Sequence, residues 1–238
     1  MLSINIELIN LKGSPELPLL LNINLQLKAG YVYTIIGKNG DGKTTLLKSI
    51  TNLLDKNKFE IKGSVSYNDI NLLQMSSNEL MTIRQNKIKY VFQDSLKSFD
   101  QLKKLKYYFN MFGNKDEVCK LLEHFKLPSY NELESHYPYE LSYGMAQRLG
   151  FIFALVSKPE IFLMDEPTSS LDTEIIDLFR EKIIEYAKGQ NATVLMVTHD
   201  IFFAKDISDY LALIENKTID KFLPKEEFFK INFKDYNS

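Results

Sequence analysis

The stretch Gly37-Lys38-Asn39-Gly40-Asp41-Gly42-Lys43-Thr44 fits the phosphate-binding loop pattern GxxxxGK[ST] at every fixed position. Its glycines allow successive backbone N–H groups to turn inward around phosphate oxygens. Lys43 supplies a mobile cation to the β- and γ-phosphates, and the Thr44 hydroxyl is a suitable Mg²⁺ ligand. We therefore expect the whole stretch, together with Thr45, to bind the phosphates of a nucleotide.

The segments on either side of the loop agree with this prediction. Residues 31–36 are typical of a buried strand, and residues 44–50 are typical of a helix whose N-terminus faces the phosphates. The alternative is a glycine-rich turn between a strand and a helix, which the ordered set of strand, loop, Lys-Thr and helix disfavours. Asp41 is unusual in such a loop because a carboxylate repels phosphates, so we expect its side chain to point to solvent.

Length and composition limit the classes of protein that fit. With 238 residues, the chain suits one nucleotide-binding domain with an inserted or appended subdomain. The net charge of -2 and the lack of a long Lys/Arg block disfavour nucleic acid as a partner. A single cysteine, Cys119, excludes a disulfide framework. Because neither a membrane-spanning apolar run nor a signal-peptide pattern occurs, we expect a cytoplasmic protein.

Hydrophobic periodicity divides the chain into three parts. Alternating apolar residues predict antiparallel strands at 3–12 and 19–27, within a nucleotide-binding core that comprises residues 1–94 and 158–222. Residues 95–157 have helical periodicity without a clear strand, which predicts an inserted helical subdomain. Residues 223–238 are expected to form a short polar C-terminal tail.

An aromatic run, Tyr107-Tyr-Phe-Asn-Met-Phe112, lies within the predicted helical subdomain. Aromatic residues at helical spacing usually belong to a core, but an exposed run is also typical of a docking surface. We favour the core and keep the docking surface as the alternative.

Polar residues that suit phosphoryl transfer follow three predicted strands. Asp165 closes the apolar run 160–164, from which its carboxylate can hold Mg²⁺ through water beside the γ-phosphate. Glu166 is then free to orient or deprotonate the attacking water. His199 can hydrogen-bond the γ-phosphate, and Gln93 can contact the metal and the water. Taken alone, each has an ordinary structural interpretation as a solvated turn, a strand-end cap or a surface amide.

The segment Tyr137-Pro-Tyr-Glu-Leu-Ser-Tyr-Gly-Met-Ala-Gln-Arg148 is a helix start that Ser142 can cap. It lies 165 − 142 = 23 residues before Asp165, and Pro167-Thr-Ser-Ser-Leu-Asp172 follows that strand. With the phosphate loop and His199, these motifs resemble the ATP-binding cassette (ABC) family. The resemblance implies an α/β P-loop NTPase fold of the ABC type, with an antiparallel β subdomain and an inserted helical subdomain.

The resemblance also implies a dimer with ATP and Mg²⁺. In this family the Leu-Ser-x-Gly segment of one subunit caps the γ-phosphate held by the partner's phosphate loop. Ser142 and Gly144 are therefore implied to act across a head-to-tail dimer, with the helix dipole behind them. Asp172, from the Ser170-Leu-Asp172 motif, is implied to belong to the nucleotide site.

A finer resemblance is to the ATPase subunits of oligopeptide, dipeptide and nickel importers. It is carried by residues 63–73, by Tyr90-Val-Phe-Gln-Asp94, and by Tyr-Pro before the signature at 141–148. It implies membrane permease subunits, a second ATPase subunit that makes a homodimer or heterodimer, and indirectly a solute-binding protein. The chain is then expected on the inner face of the cell membrane.

Three departures from the family pattern bear on function. Tyr143 replaces the first glycine of the signature, so we expect reduced or altered dimer closure. Residues 1–30 contain no aromatic ring to stack on adenine, which leaves base selectivity open. Because few residues follow Pro224, we expect the chain to lack the C-terminal extension of many peptide-branch subunits.

The expected function is ATP hydrolysis for an ABC importer of peptides, nickel or related small solutes. The alternative is a soluble ABC ATPase that acts on a protein or cofactor-assembly partner without transport. A regulatory module that holds ATP and hardly cleaves it is a third class, which the Glu166–His199 pair disfavours.

Overall fold

The computed structural model describes residues 1–13, 17–112, 114–169 and 171–233. Within them, the strands are β1 (Leu2–Leu11), β2 (Pro18–Leu27), β3 (Val32–Ile36), β4 (Phe59–Tyr67), β5 (Ile70–Asn71), β6 (Ile88–Val91), β7 (Ile161–Asp165), β8 (Thr193–Thr198), β9 (Tyr210–Glu215), β10 (Thr218–Ile219) and β11 (Leu223–Pro224). The helices are α1 (Lys43–Ile50), α2 (Ser77–Asn86), α3 (Leu105–Phe112), α4 (Lys115–His124), α5 (Tyr130–Leu133), α6 (Tyr143–Val156), α7 (Thr173–Gly189), α8 (Ile201–Ile207) and α9 (Lys225–Asn232). Ser170 of the Ser170-Leu-Asp172 motif and residues 234–238 of the predicted tail lie outside the described residues.

The predicted antiparallel strands form a sheet of order β2-β1-β4-β5. β1 pairs antiparallel with β2 on one side and with β4 on the other. The alternation in sequence matches the burial, because Ile4 and Ile6 are buried while Asn5 and Ser3 are not. The antiparallel β subdomain is therefore confirmed.

The second sheet carries the phosphate loop. Its order is β10-β9-β3-β8-β7-β6, and β11 pairs with β9. Strands β3, β8, β7 and β6 are parallel to their neighbours along this row. Their carboxyl ends therefore meet at one edge of the sheet, which is where ligands bind in open α/β sheets.

Alternate residues of the central strands face two different hydrophobic cores. In β7, Phe162 and Met164 pack with the helices α3 to α8, whereas Ile161 and Leu163 pack with α1 and the antiparallel sheet. This two-sided burial explains why β7 is a continuous apolar run in sequence. The strand is thereby fixed on both faces, so the residues at its end are held rigidly.

Helices α3, α4, α5 and α6 make up the predicted helical insertion, which is confirmed. The aromatic run in α3 is partly core and partly exposed. Tyr108 and Phe109 are buried in the core, while Tyr107 and Met111 are 51% and 58% exposed. A helix that buries only one face accounts for this division.

The C-terminal region differs from the predicted polar tail. Residues Lys225–Asn232 form α9, in which Phe228 and Phe229 are buried against Ile36 and Leu211. The prediction of a polar tail was wrong because Pro224 is the N-cap of this helix, and proline is well tolerated at a helix start. Among the described residues, no helix has both the length and the apolar character needed to cross a membrane.

Candidate functional site

The phosphate loop joins β3 to α1 and needs glycine at defined positions. Gly42 has φ +94°, a left-handed conformation that side chains disfavour. At Gly37, a Cβ atom would lie 2.2 Å from Ile214 Cγ2 of the neighbouring strand β9. The shape of the loop therefore depends on backbone conformations and a close approach that favour glycine.

Lys43 is folded over the loop and buried at 6% exposure. Its ammonium group donates to the carbonyl oxygens of Gly37 at 2.8 Å and Lys38 at 3.0 Å. It also lies 3.3 Å from Glu166 Oε1. The cation is therefore held over the loop by two dipoles and one carboxylate.

Asp41 does not point to solvent as we expected. Its carboxylate folds back over the loop, where Oδ2 accepts the backbone N–H of Lys38 at 2.7 Å. The expectation was wrong because an aspartate side chain can accept a hydrogen bond from a nearby backbone N–H of its own loop. The negative charge therefore lies against the loop itself.

Asp165 is 2% exposed and is held by two hydroxyl groups. Thr44 Oγ1 donates to its Oδ1 at 3.1 Å, and the Tyr90 hydroxyl donates to its Oδ2 at 2.8 Å. Burial raises the pKa of Asp165, while the two hydroxyl groups act to lower it and the charge of Glu166 raises it further. A hydroxyl beside a carboxylate is the kind of oxygen ligand set that Mg²⁺ prefers, so these residues fit that ion.

Glu166 has an unusual backbone conformation for a residue with a side chain, with φ +48°. Such angles are concentrated at functional sites. Its Oε2 accepts the Thr198 hydroxyl at 3.0 Å and lies 2.9 Å from His199 Nδ1. The side chain is 6% exposed, which limits the water around it. A buried carboxylate oriented by a hydroxyl and an imidazole is suited to accept a proton from water.

Two clefts meet beside the loop. The first, of about 310 Å³, is lined by Asn39, Gly40, Gly42, Lys43, Thr44, Thr45, Gln93 and Glu166. The second, of about 350 Å³, is lined by Thr44, Lys48, Phe92, Gln93, Asp94, Lys97, Ser98 and Asp165. Thr44 and Gln93 belong to both clefts, and Gln93 is exposed. The structure therefore brings Gln93 to the loop, as expected from its place after β6.

Three other predicted site residues, Ser142, Gly144 and Asp172, do not line either cleft. Ser142 caps α6, and its side chain accepts the N–H of Met145 at 3.2 Å. Gly144 lies in the first turn of that helix, and Asp172 caps α7 by accepting the N–H of Ile175 at 3.0 Å. The Tyr143 phenol faces Asp94, and this contact raises the pKa of Tyr143.

Three residues near the site escaped sequence reasoning. Tyr90 and Thr198 bond the carboxylates of Asp165 and Glu166. Gln147, which is fully buried, donates to the carbonyl oxygen of Pro167 at 2.6 Å. Thr198 was detectable as the last residue of a strand whose carboxyl end faces the loop. Tyr90 and Gln147 were not, because only the fold brings them to their partners.

A profile of the ABC transporter family matches residues 20–169. The chain belongs to the ABC transporter family. The matched region runs from β2 to the residues just after Glu166, so it contains the phosphate loop, the helical insertion and both carboxylates.

Two bacterial members of the ABC family illustrate the similarity. The chain is 28% identical over 221 residues to the oligopeptide transport ATP-binding protein OppD of Lactococcus lactis subsp. cremoris strain SK11, covering 88% of this chain and 65% of that protein. It is 32% identical over 213 residues to the methionine import ATP-binding protein MetN 2 of Lactiplantibacillus plantarum, covering 88% of this chain and 61% of that protein. The chain thus spans somewhat less than two thirds of the length of these relatives.

Among solved ABC structures, the chain resembles the dimeric, post-hydrolysis ATP-binding cassette MJ0796 bound to ADP and Pi. The TM-score is 0.77 at 24% identity, and the match covers 94% of this chain and 99% of that one. At this level of identity the likeness shows a shared fold.

Proposed function

We propose that the chain is the ATP-hydrolysing subunit of an ABC importer for peptides, nickel or related small solutes. The observation that carries the proposal is the environment of Glu166, whose buried carboxylate lies beside Lys43 and His199 at the rim of the phosphate loop. An arrangement of this kind suits hydrolysis better than simple retention of a nucleotide. The names of the relatives OppD and MetN 2 support import, and they differ in solute.

The phosphate loop and its lysine bind the substrate in this proposal. Backbone N–H groups of the loop and the Lys43 ammonium attract the phosphate oxygens, with the N-terminus of α1 behind them. Thr44 and Asp165 would hold Mg²⁺. When bound, this ion neutralises charge on the β- and γ-phosphates.

Glu166 is the proposed general base. Its Oε2 is oriented by Thr198 and His199, so the carboxylate is held in one position before a water molecule arrives. ATP phosphates compete with Glu166 for Lys43, which frees Oε1 to accept a proton. His199 and Gln93 act as positioning groups for the γ-phosphate and the attacking water.

A second ATPase subunit completes each site in the proposal. Ser142, Gly144 and Asp172 lie at helix starts and do not line the two clefts beside their own loop, which agrees with action on a partner's nucleotide. The helical insertion, residues 95–157, would carry this signature as a subdomain on the core of residues 1–94 and 158–222. Closure of the dimer around Mg·ATP would then move a separate membrane permease on the inner face of the cell membrane.

Affinity purification of the tagged chain from detergent-solubilised membranes of its host tests the proposal. The expected result is recovery of a multi-span permease together with a second ATPase subunit. The solute-binding protein that accompanies them would then identify the solute. Recovery only from the soluble fraction, alone or with an assembly protein, would contradict the transporter assignment.

A further inference from the structure

Two hydroxyl groups hold the single carboxylate of Asp165 from opposite oxygens. The Thr44 hydroxyl, from the phosphate loop, donates to Oδ1 at 3.1 Å. The Tyr90 hydroxyl, from the neighbouring strand β6, donates to Oδ2 at 2.8 Å. One oxygen therefore faces the loop, while the other is occupied by a residue to which the sequence analysis assigned no role at the site.

The fold holds Tyr90 rigidly in this place. In the parallel pairing of β6 and β7, Tyr90 lies opposite Leu163, two residues before Asp165. Its ring packs 4.3 Å from the ring of Phe92, measured between centroids, and against the core beneath the antiparallel sheet. Because a β-strand and a packed ring fix the hydroxyl, the hydrogen bond costs little additional ordering.

The chemistry of Asp165 explains why a donor is useful there. The carboxylate is 2% exposed, so water can supply few hydrogen bonds to its oxygens. A phenol that donates to Oδ2 stabilises the charge without approaching the Thr44 side. Phenylalanine would fill the same space in the core without supplying that donor.

We propose that Tyr90 is a positioning residue for metal binding, because its hydroxyl fixes Asp165 with Oδ1 turned to Thr44. The inference depends on the proposed function, since it concerns the Mg²⁺ that accompanies the nucleotide. It assigns Tyr90 no contact with the nucleotide. Loss of the hydroxyl is therefore expected to weaken the effect of Mg²⁺ on nucleotide binding and to leave metal-free binding unchanged.

The experiment compares Tyr90→Phe with wild type by calorimetric titration of a non-hydrolysable ATP analogue, once with excess Mg²⁺ and once with EDTA. The readout is the ratio of the two affinities. We expect this ratio to fall about tenfold in the variant, the size expected for the loss of one hydrogen bond to a carboxylate. A merely structural role for Tyr90 would alter both affinities or the melting temperature, and not the ratio.

Tyr67→Phe is the matched control. Its hydroxyl also donates to a carboxylate, that of Glu160, but neither residue lines the two clefts beside the loop. The ratio should match wild type in this control. In an Asp165→Asn background, Tyr90→Phe should cause no further change, because the carboxylate through which it acts is gone.

The possible outcomes separate the two proposals. A wild-type protein whose binding ignores Mg²⁺ would refute the proposed metal site and with it this inference. If Mg²⁺ strengthens nucleotide binding equally in wild type and in Tyr90→Phe, only the role of Tyr90 is overturned. A ratio that rises in Tyr90→Phe would also overturn it, since the hydroxyl would then compete with the metal for Asp165.

Discussion

Lys43 and Glu166 form a buried ion pair of 3.3 Å between Nζ and Oε1. The pair joins the cation of the phosphate loop to the carboxylate that we propose as the general base. Each group is therefore the ion-pair partner of the other. A nucleotide that draws Lys43 to its phosphates would release one oxygen of Glu166, which couples substrate binding to the availability of the base.

Glu166→Gln tests this coupling. Glutamine keeps the size of the side chain but removes its charge and basicity, so we expect turnover to fall by about 100-fold or more, as for loss of a general base. ATP affinity should be retained or increase a few-fold, since Lys43 is no longer held by a carboxylate. Phosphate release and calorimetric titration measure the two effects.

Glu174→Gln is a suitable control, because Glu174, in the first turn of α7, forms an exposed ion pair with Lys126, which follows α4. That variant should match wild type in both measurements. Turnover of Glu166→Gln within tenfold of wild type would show that Glu166 is not the base.

Asp41 provides a second prediction, because its charge lies against the phosphate loop while it accepts the N–H of Lys38 at 2.7 Å. Asp41→Asn keeps an oxygen acceptor for that N–H and removes the charge. We expect ATP affinity to increase about fivefold at low salt, as for the loss of about 1 kcal/mol of repulsion between charges about 4 Å apart in water. The gain should shrink at high salt. An affinity that falls in Asp41→Asn would instead mean that the charge supports the loop.

Much of the site could be predicted from sequence because its residues follow local patterns. The phosphate loop is contiguous, Asp165 ends a buried strand and His199 follows one, and the apolar run of each strand is visible in sequence. Parallel strands then bring these ends to one edge. The prediction needed no knowledge of the strand order.

The contacts that escaped prediction are distant in sequence or depend on packing. Tyr90 and Asp165 are separated by 75 positions, and their hydrogen bond requires β6 and β7 to be neighbours. The position of Asp41 was predicted wrongly because its hydrogen bond with the N–H of Lys38 outweighs the repulsion that phosphates would exert on its charge. The helix α9 was missed because Phe228 and Phe229 lie among charged residues, although two adjacent aromatic residues were a usable sign of burial.

Glu160 provides a prediction for the pH dependence of stability. It accepts hydrogen bonds from Lys87 and Tyr67, and these partners lower its pKa, Lys87 having the largest effect. A carboxyl group whose pKa is lowered by folding stabilises the protein above its unfolded pKa, and that stability is lost as the pH falls through the folded value. Glu160→Gln should therefore lower the melting temperature by about 1–3 °C at neutral pH, since the group is about half exposed.

The difference in melting temperature should begin to shrink near pH 4, where the unfolded chain binds the proton, and should disappear once the pH has fallen through the lower pKa of Glu160 in the folded chain. Glu60→Gln is the control, because Glu60 has a weaker, exposed contact with Lys62 at 3.8 Å. A difference that stays constant between neutral and acidic pH would mean that Glu160 acts by packing and not by charge.

Gln147 lies on α6, the helix that begins at the signature segment, and it links this helix to the loop that contains Glu166 and Pro167. Its Nε2 donates to the carbonyl oxygens of Pro167 at 2.6 Å and Glu166 at 3.4 Å, and the side chain is fully buried. Gln147→Leu removes this donor from both oxygens, although that of Glu166 keeps the N–H of Ser169 at 3.3 Å, and the loss should cost about 1–3 kcal/mol in the free energy of unfolding. Because Glu166 already has a strained backbone angle, loss of this anchor should also reduce turnover by about tenfold with little change in ATP affinity.

Gln101→Leu separates the specific effect of Gln147 from the general loss of an amide. Gln101 Nε2 likewise donates to two backbone oxygens, those of Leu96 at 2.8 Å and Phe99 at 3.3 Å, but in a loop that carries no proposed base. Both variants should lower the free energy of unfolding, which denaturant titration measures. Only Gln147→Leu should lower phosphate release per folded molecule. Equal turnover in the two variants would show that the signature helix does not hold Glu166 through Gln147.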